Sequence, residues 1–275
     1  MTTFSAMAGV GLICPNPSGL DGLNVEVLNT GWTETDWNRV DPKEPQGPLL
    51  LPFLVGKIDH PNGLALVDSG LGVETREGRY PKFILKADKH DVPPGKTAVE
   101  QLGGLPDIVL MTHLHYDHVS GLLDMTPEVE VWTTLEEWRT ARTSNMLFPS
   151  RKMEAAVTWR PIDLVDGKAN RRLGVPAVDV FGDETVWYLG TPGHTPGAAS
   201  VLVRAEDEVW LFVGDIGWID RHLVDRRRPS WVSVVVDGRP RRLQKSLKWA
   251  RAIKEKCPTM RVVTGHEPRW ATEQR

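Results

Sequence analysis

The chain has 275 residues, of which 40% are hydrophobic and 25% charged, a composition close to that of globular domains with a sizeable core. Its formal net charge is −3, from 33 basic and 36 acidic residues, which is not the basic excess that nucleic-acid-binding proteins use to neutralise phosphates. Apolar runs fall short of the roughly 20 residues that span a bilayer. We therefore expect one domain over residues 1–275, a small-molecule substrate, and neither a nucleic-acid nor a membrane partner.

The cysteines and the start of the chain favour a cytoplasmic protein. Cys14 and Cys257 are too few for a disulfide framework, and neither belongs to a CxxC pair, so zinc ligation by thiolates is not expected. Residues 1–14 are small and apolar but lack a basic start and a cleavage motif, so we do not predict a signal peptide.

The first predicted elements are strands. Residues 30–48, rich in Trp, Asp, Pro and Gly, predict a long irregular loop. Residues 49–55 and 64–67 predict two strands, and the turn residues 60–63 between them indicate a hairpin. A short helix is predicted around residues 97–102.

A second group of elements follows, again strand before helix. Residues 108–111 and 129–132 predict strands, and residues 134–142 a helix that begins at Thr134, with Glu137 as its capping-box partner. The segment 143–158 predicts a lid or a helical insert.

The second half repeats the alternation of strands and a helix. The predicted elements are strands at 178–180, 185–189, 199–203, 209–213 and 261–263, and an amphipathic helix at 241–256. The arginine-rich stretch 221–251 predicts a solvated loop and helix face, with a site for acidic groups as the alternative. Such an order suggests sheets packed together with helices outside.

A dense cluster of potential metal ligands follows the strand at 108–111. His113, His115, Asp117 and His118 lie within six consecutive residues. Alternate residues of an extended segment point the same way, so His113 and His115 can converge on one metal ion. The turn that follows can aim Asp117 and His118 at a neighbouring position. Imidazole and carboxylate ligands suit zinc, iron, cobalt or manganese.

Three further candidates stand far away in the sequence. His194, Asp215 and His266 each follow a predicted strand and lie beside a glycine. A site assembled from distant segments would lie where such strand ends meet at one edge of a sandwich. The three remaining histidines are interpreted as loop or surface residues; they are His60, His90 and His222.

These motifs together resemble the metallo-β-lactamase superfamily. They fall in that family's order over residues 49–268 and are Val67-Asp68-Ser69-Gly70, Thr112-His113-Leu114-His115-Tyr116-Asp117-His118, Thr191-Pro192-Gly193-His194-Thr195-Pro196-Gly197 and Val213-Gly214-Asp215. The resemblance implies an α+β fold, the αββα sandwich of that superfamily, with metals at the edge of two facing sheets.

The resemblance also implies a ligand assignment for two divalent metal ions. His113, His115 and His194 would bind one ion; Asp117, His118 and His266 the other; Asp215 would bridge them. Asp68 would orient a ligand imidazole, with a turn-forming role as the alternative. We expect zinc, with iron, cobalt and manganese left open, and leave open a homodimer.

Within the family, the sequence around these motifs is most similar to the N-acyl homoserine lactonase-like, quorum-quenching hydrolases. The complete ligand set argues against the β-lactamases, many of which use a cysteine near position 215, and the near-neutral charge argues against the nucleases. Leu51-Pro52-Phe53 and Gly265-His266-Glu267-Pro268 are similar to lactonase segments. Trp218 departs from them, because acyl-homoserine lactonases typically carry a tyrosine three residues after the bridging Asp, and an indole cannot act as a proton donor near neutral pH.

The predicted activity is opening of a lactone or a related ester by a hydroxide shared between two metals. Asp117 would return a proton to the leaving group, or act as a ligand alone. The alternatives are a phosphotriesterase, a thioester hydrolase of the glyoxalase II type, a mononuclear iron sulfur dioxygenase, and a binding module without activity.

Overall fold

The structure is a computed structural model that describes residues 13–79, 89–143, 151–164, 169–170, 173–225 and 240–272. Its strands form two sheets, of seven and six strands, in the orders β4-β1-β2-β3-β5-β6-β7 and β13-β12-β11-β10-β9-β8. The strands of the first sheet are β1 (Asn24–Asp36), β2 (Pro48–His60), β3 (Gly63–Val67), β4 (Lys89–Asp91), β5 (Ile108–Leu110), β6 (Glu130–Thr134) and β7 (Thr158–Ile162). The strands of the second are β8 (Ala169–Asn170), β9 (Val175–Asp179), β10 (Val186–Gly190), β11 (Ala199–Arg204), β12 (Val209–Gly214) and β13 (Arg261–Thr264).

Most helices are short, and several connect the strands of the first sheet. The helices are α1 (Trp37–Val40), α2 (Val73–Arg76), α3 (Ala98–Leu102), α4 (Tyr116–Val119), α5 (Leu135–Ala141), α6 (Arg151–Glu154), α7 (Asp220–Val224), α8 (Pro240–Lys256) and α9 (Arg269–Thr272), with a 3-10 helix at Ser120–Asp124. None of the helices in the described ranges is long and apolar enough to cross a membrane. Of the predicted lid or helical insert at 143–158, residues 144–150 lie outside the described ranges, and α6 is a single helical turn.

The core lies between the two sheets, because strand side chains alternate between two faces and the inner faces are apolar. Ile58, Val67 and Leu110 of the first sheet pack with Val201 and Phe212 of the second. All five are buried.

Helices cover the outer face of each sheet. Leu247 of α8 packs on Leu211 of the second sheet, and Val119 of α4 packs with Val109 of the first. The layers are therefore helix, sheet, sheet, helix, which confirms the predicted αββα sandwich.

The predicted loop at 30–48 is wrong over residues 30–40, which form the end of β1 and α1. β1 and β2 pair antiparallel from Asn24 opposite Asp59 to Asp36 opposite Pro48. A shift in register between Asn29 and Trp32 marks a bulge in β1. That bulge lets residues with loop-like composition stay within the strand, so the irregular segment is confined to residues 41–47.

Two of the three histidines interpreted as loop or surface residues are buried instead. His60, at the end of β2, stacks on Phe181 and bonds Asp183 at 3.0 Å, while His222 in α7 is fully buried. His90 lies on β4, with its ring against Phe53. Their burial depends on contacts between elements distant in sequence, which the local pattern does not show.

The two cysteines are joined. Cys14 and Cys257 form a disulfide across 243 residues, with a Cα–Cα distance of 5.6 Å. The bond ties the first described residues to the end of α8.

Candidate metal centre

The candidate ligands lie at one edge of the sandwich because the strands that precede them end there. β12 and β13 run parallel, so the segments leading to Asp215 and His266 leave the second sheet on the same side. The stretch after β5 is fixed to the second sheet by Ala199, whose N–H donates to the Thr112 carbonyl at 2.7 Å. The structure thereby brings together the residues predicted as ligands, which are His113, His115, Asp117, His118, His194, Asp215 and His266.

Three histidines form the first group. His113 Nε2 lies 3.1 Å from His115 Nδ1, and His194 Nε2 lies 2.9 Å from the same His115 nitrogen. All three side chains are buried. Ligand atoms around a tetrahedral zinc, with bonds of about 2.0–2.1 Å, lie roughly 3.3 Å apart, so this spacing fits a metal ion.

The second group adds carboxylates. His118 Nε2 lies 3.5 Å from an oxygen of Asp117, and His266 Nε2 lies 3.6 Å from the same oxygen. The side chain of Asp117 is 23% exposed, whereas those of His118 and His266 are 4% and 5% exposed. Asp117 is therefore the most exposed of these three candidate ligands.

Asp215 stands between the two groups. Its Oδ2 lies 3.4 Å from His194 Nε2, and its Oδ1 lies 3.4 Å from His266 Nε2 and 3.5 Å from His118 Nε2. Each oxygen thus faces a different group, which is the arrangement of a bridging carboxylate. Gly265 makes this possible, since a Cβ there would overlap Asp215 Oδ1.

Hydrogen bonds with Asp68 and Thr112 set the ring orientation of two candidate ligands, His113 and His118. The Thr112 hydroxyl donates to Asp68 at 2.7 Å, so its oxygen accepts from His113 Nδ1 at 3.1 Å. His118 Nδ1 donates to Asp68 at 2.8 Å. These bonds leave the Nε2 lone pairs of His113 and His118 facing the metal positions. Asp68 therefore contacts a ligand imidazole, as predicted.

His266 is oriented by the backbone of β2. Its Nδ1 donates to the Pro52 carbonyl at 2.9 Å, which turns Nε2 toward Asp215 and Asp117. Sequence reasoning used Pro52 for the family resemblance and did not assign it this contact, because a backbone carbonyl carries no signal in the side-chain pattern.

The electrostatics of the site suit cation binding. Burial lowers the pKa of His113 well below its usual range and that of His115 to about 3, which keeps both rings neutral, as ligands must be. Burial alone would raise the pKa of Asp215, but the positive charges of His266 and His118 hold it well below its usual range. At neutral pH the Asp215 carboxylate is therefore ionised. Burial opposes those two charges, but the Asp117 and Asp215 carboxylates raise the pKa of both imidazoles, which stabilises protons that a metal ion would displace.

Two buried atoms of the candidate ligands give further support for a metal ion. His118 Nε2 and Asp215 Oδ1 are buried and face each other at 3.5 Å, but neither makes a hydrogen bond. Unsatisfied polar atoms at this depth are costly unless something binds them. The donor set and these atoms fit divalent metal ions.

Trp218 lies beside the second group and is half-buried. Its ring meets the His266 imidazole edge-on, at a centroid distance of 5.9 Å, and it packs against the apolar cluster that includes Leu49, Leu51 and Ile219. It is thus partly core and partly a wall beside a candidate ligand.

Glu137 lies in this region, although the sequence pattern predicted only a helix-capping role for it. Its N–H bonds the Thr134 hydroxyl at 3.1 Å, as predicted for the start of α5. The predicted return bond of a capping box is wrong: the Glu137 carboxylate instead accepts from Leu114 and Gly197. Two loops far apart in sequence provide those donors, so the local capping pattern could not indicate them.

Comparison with known proteins places this architecture in a family. The profile described as metallo-beta-lactamase superfamily matches residues 53–266. N-acyl homoserine lactonase AttM of Rhizobium radiobacter is 26% identical over 240 residues, 80% of this chain and 83% of the relative. The probable metallo-hydrolase YqgX of Bacillus subtilis is 30% identical over 131 residues, 44% of this chain and 57% of the relative.

Solved structures share the fold. An N-acyl homoserine lactone hydrolase with N-hexanoyl-L-homoserine at its catalytic metal centre superposes with a TM-score of 0.74 at 18% identity, covering 93% of this chain and 98% of the other. AidC, a dizinc quorum-quenching lactonase, superposes with a TM-score of 0.60 at 14% identity, covering 90% and 88%. The prediction of a metal-dependent, lactonase-like hydrolase is confirmed at the level of the family. Since the matched profile spans most of the chain and contains all seven candidate ligands, the chain belongs to the metallo-β-lactamase superfamily.

Proposed function

We propose that this protein is a dinuclear metal-dependent hydrolase that opens a lactone or cleaves a related ester. The observation that carries the proposal is the position of Asp215, whose two oxygens face different groups of ligands. A site for a single metal ion does not require a second buried set of donors about 3.4 Å from the other Asp215 oxygen. This counts against the single-iron dioxygenase, and the complete ligand set counts against a binding module without activity.

The residues divide the work as follows. His113, His115 and His194 would hold one ion; Asp117, His118 and His266 the other. The pair would supply Lewis acidity and an activated water. We propose zinc, because imidazole and carboxylate donors at these spacings suit it and because a structural relative is a dizinc lactonase.

Asp117 is the proposed proton carrier. It is the most exposed of the carboxylate ligands, at 23% against 4% for Asp215, so it alone can face both a metal and a bound substrate. A carboxylate so placed can take a proton from the attacking water and return it to the leaving oxygen.

The substrate class rests on the relatives. AttM and the solved neighbour are named for N-acyl homoserine lactones, and we propose a lactone for this chain on that basis. Trp218 would then form an apolar wall beside His266 and take no part in proton transfer. A phosphotriester or a thioester is the second candidate, since the same ligand set serves those reactions.

The test combines metal analysis with a hydrolysis panel. Purified protein should hold two zinc or cobalt ions per chain and hydrolyse lactones in preference to thioesters, β-lactams and phosphotriesters. His194→Ala should lose metal and activity, while His60→Gln, which changes a buried histidine outside the ligand set, should keep both. One iron per chain would favour the dioxygenase, and a preference for thioesters or triesters would replace the proposed substrate class.

A further inference from the structure

Glu137 is a buried carboxylate in the first turn of α5 that belongs to neither group of candidate ligands. Glu137 is only 1% exposed. Burial raises the pKa of this carboxyl, while hydrogen bonds from the Leu114 and Gly197 amides act in the opposite direction. A carboxylate withdrawn from water is retained only where hydrogen bonds compensate it.

The two oxygens of Glu137 bind the two loops that carry the three-histidine group. Oε1 accepts from the Leu114 N–H at 3.1 Å, and Leu114 lies between His113 and His115. Oε2 accepts from the Gly197 N–H at 3.0 Å, three residues after His194. One side chain therefore links segments that are about 80 residues apart in sequence.

The start of α5 binds both the carbonyl and the N–H of Gly197. The Thr134 hydroxyl donates to the Gly197 carbonyl at 2.6 Å while Glu137 accepts from its N–H. A Cβ at position 197 would overlap the backbone nitrogen of Glu137. The loop of His194 is thus packed directly against the start of α5 and held there by hydrogen bonds.

We propose that Glu137 is a positioning residue that sets the distance between the loop of His113 and His115 and the loop of His194, and so preorganises the three-histidine metal position. The inference rests on the proposed metal centre. Ligand rings held by outer hydrogen bonds bind metal more tightly than rings left free to rotate. Glu137 acts one step further out, on the backbone that carries the rings.

The discriminating variant is Glu137→Gln, which keeps size and shape. An amide has one acceptor oxygen and one donor NH₂, so one of the two backbone N–H groups would face another donor. Glu136→Gln is the matched control: it makes the same change on the adjacent residue, whose carboxylate pairs with Arg242 at 2.9 Å. Glu137→Asp keeps the charge but is one methylene shorter, so it can reach only one of the two loops.

The readouts are zinc affinity, measured by competition with a chromophoric chelator, and the visible absorption of the cobalt-loaded protein, which reports ligand geometry. Glu137→Gln should weaken one of the two zinc sites by about 10–100-fold and alter the cobalt spectrum, while Glu136→Gln matches wild type. Melting curves of chelator-treated proteins separate this effect from a loss of fold. If Glu137→Gln does not fold, Glu137→Asp should show the same weakening.

The outcomes separate the two proposals. A wild-type protein that binds two ions, together with Glu137 variants of unchanged zinc affinity and cobalt spectrum, would overturn the positioning role and leave the proposed function standing. A wild-type protein that binds no metal would overturn both.

Discussion

At the scale of single residues, the candidate centre separates a bridging carboxylate from an orienting one. Asp215 faces both ligand groups directly, whereas Asp68 reaches the ligands through Nδ1 of His118 and the hydroxyl of Thr112. Loss of Asp215 should remove donors from both metal positions at once. Loss of Asp68 should leave every candidate ligand in place but free the rings of His118 and His113 to turn.

Asp215→Ala is therefore expected to disable the protein more than Asp68→Ala. Asp68→Ala should lower metal affinity by about 10–100-fold and recover metal at excess zinc, whereas Asp215→Ala should not recover the second ion. Bound metal per chain and kcat at saturating zinc measure the difference. Asp68 has a φ of 61°, so Asp68→Asn, which tolerates that conformation, controls for backbone strain. The reverse ranking of the two alanine variants would contradict the assigned roles.

His222 gives a residue-scale prediction about pH. Its Nδ1 accepts from the backbone N–H of Trp218 at 3.2 Å, and its Nε2 donates to the Val40 carbonyl at 3.2 Å. Burial lowers its pKa from 6.5 to about 4. Below pH 6.5 the unfolded chain binds a proton at this histidine that the folded protein does not, so folding stability falls as the pH drops from 6.5 to 4 and is unaffected above 6.5.

The expected loss over that window is at most about 3.5 kcal/mol, since one pKa unit corresponds to about 1.4 kcal/mol. Urea unfolding of chelator-treated protein at pH 7.5 and pH 5 should show a larger loss for wild type than for His222→Gln, which keeps one donor and one acceptor but does not titrate. Equal losses in the two proteins would show that other groups set the acid sensitivity.

At the scale of elements, the start of α8 supports the loop that carries His194. The Ser246 hydroxyl donates to the Pro192 carbonyl at 2.8 Å, and the backbone of Gly193 lies directly against that of Leu243. The His194 loop is thus held between α8 on one side and the start of α5 on the other. Its geometry depends on two helices whose sequences carry no metal-binding motif.

Gly193→Ala should consequently damage the site through packing alone. A Cβ there would overlap the nitrogen and Cα of Leu243, and neither backbone atom can move without shifting α8. We expect a lower melting temperature and weaker zinc binding. Gly104→Ala, where a Cβ meets nothing within 4 Å, is the control and should match wild type in both. A Gly193→Ala protein with unchanged zinc affinity would show that the loop adjusts freely.

At the scale of the whole molecule, the disulfide joins the first described residues to the last long helix. Cys14 and Cys257 are 243 positions apart in sequence, and closing a long loop restricts the unfolded chain. Structural disulfides persist mainly in oxidising compartments. The predicted cytoplasmic location stays a prediction, and the disulfide counts against it.

Cys257→Ser should lower the free energy of unfolding by about 2–5 kcal/mol. Urea unfolding with and without reductant measures this: reductant should shift wild type toward the variant and leave the variant unchanged. A thiol titration of the denatured wild-type protein, purified without reductant, checks the bond itself. Two free thiols there would contradict the disulfide and remove the argument about the compartment.

The sequence by itself predicted the candidate ligands, because metal donors of the right chemistry cluster in the motif from His113 to His118 and recur at three later strand ends. It also predicted most strands and the long helix α8, since apolar runs and periodicity are local signals. Only the tertiary structure decided the rest. It placed the two Asp215 oxygens toward different ligand groups, made Glu137 a link between two loops, and buried His222 through partners distant in sequence. Burial, bulges in long strands and hydrogen bonds to backbone groups arise from packing between elements, and a linear pattern does not record which elements meet.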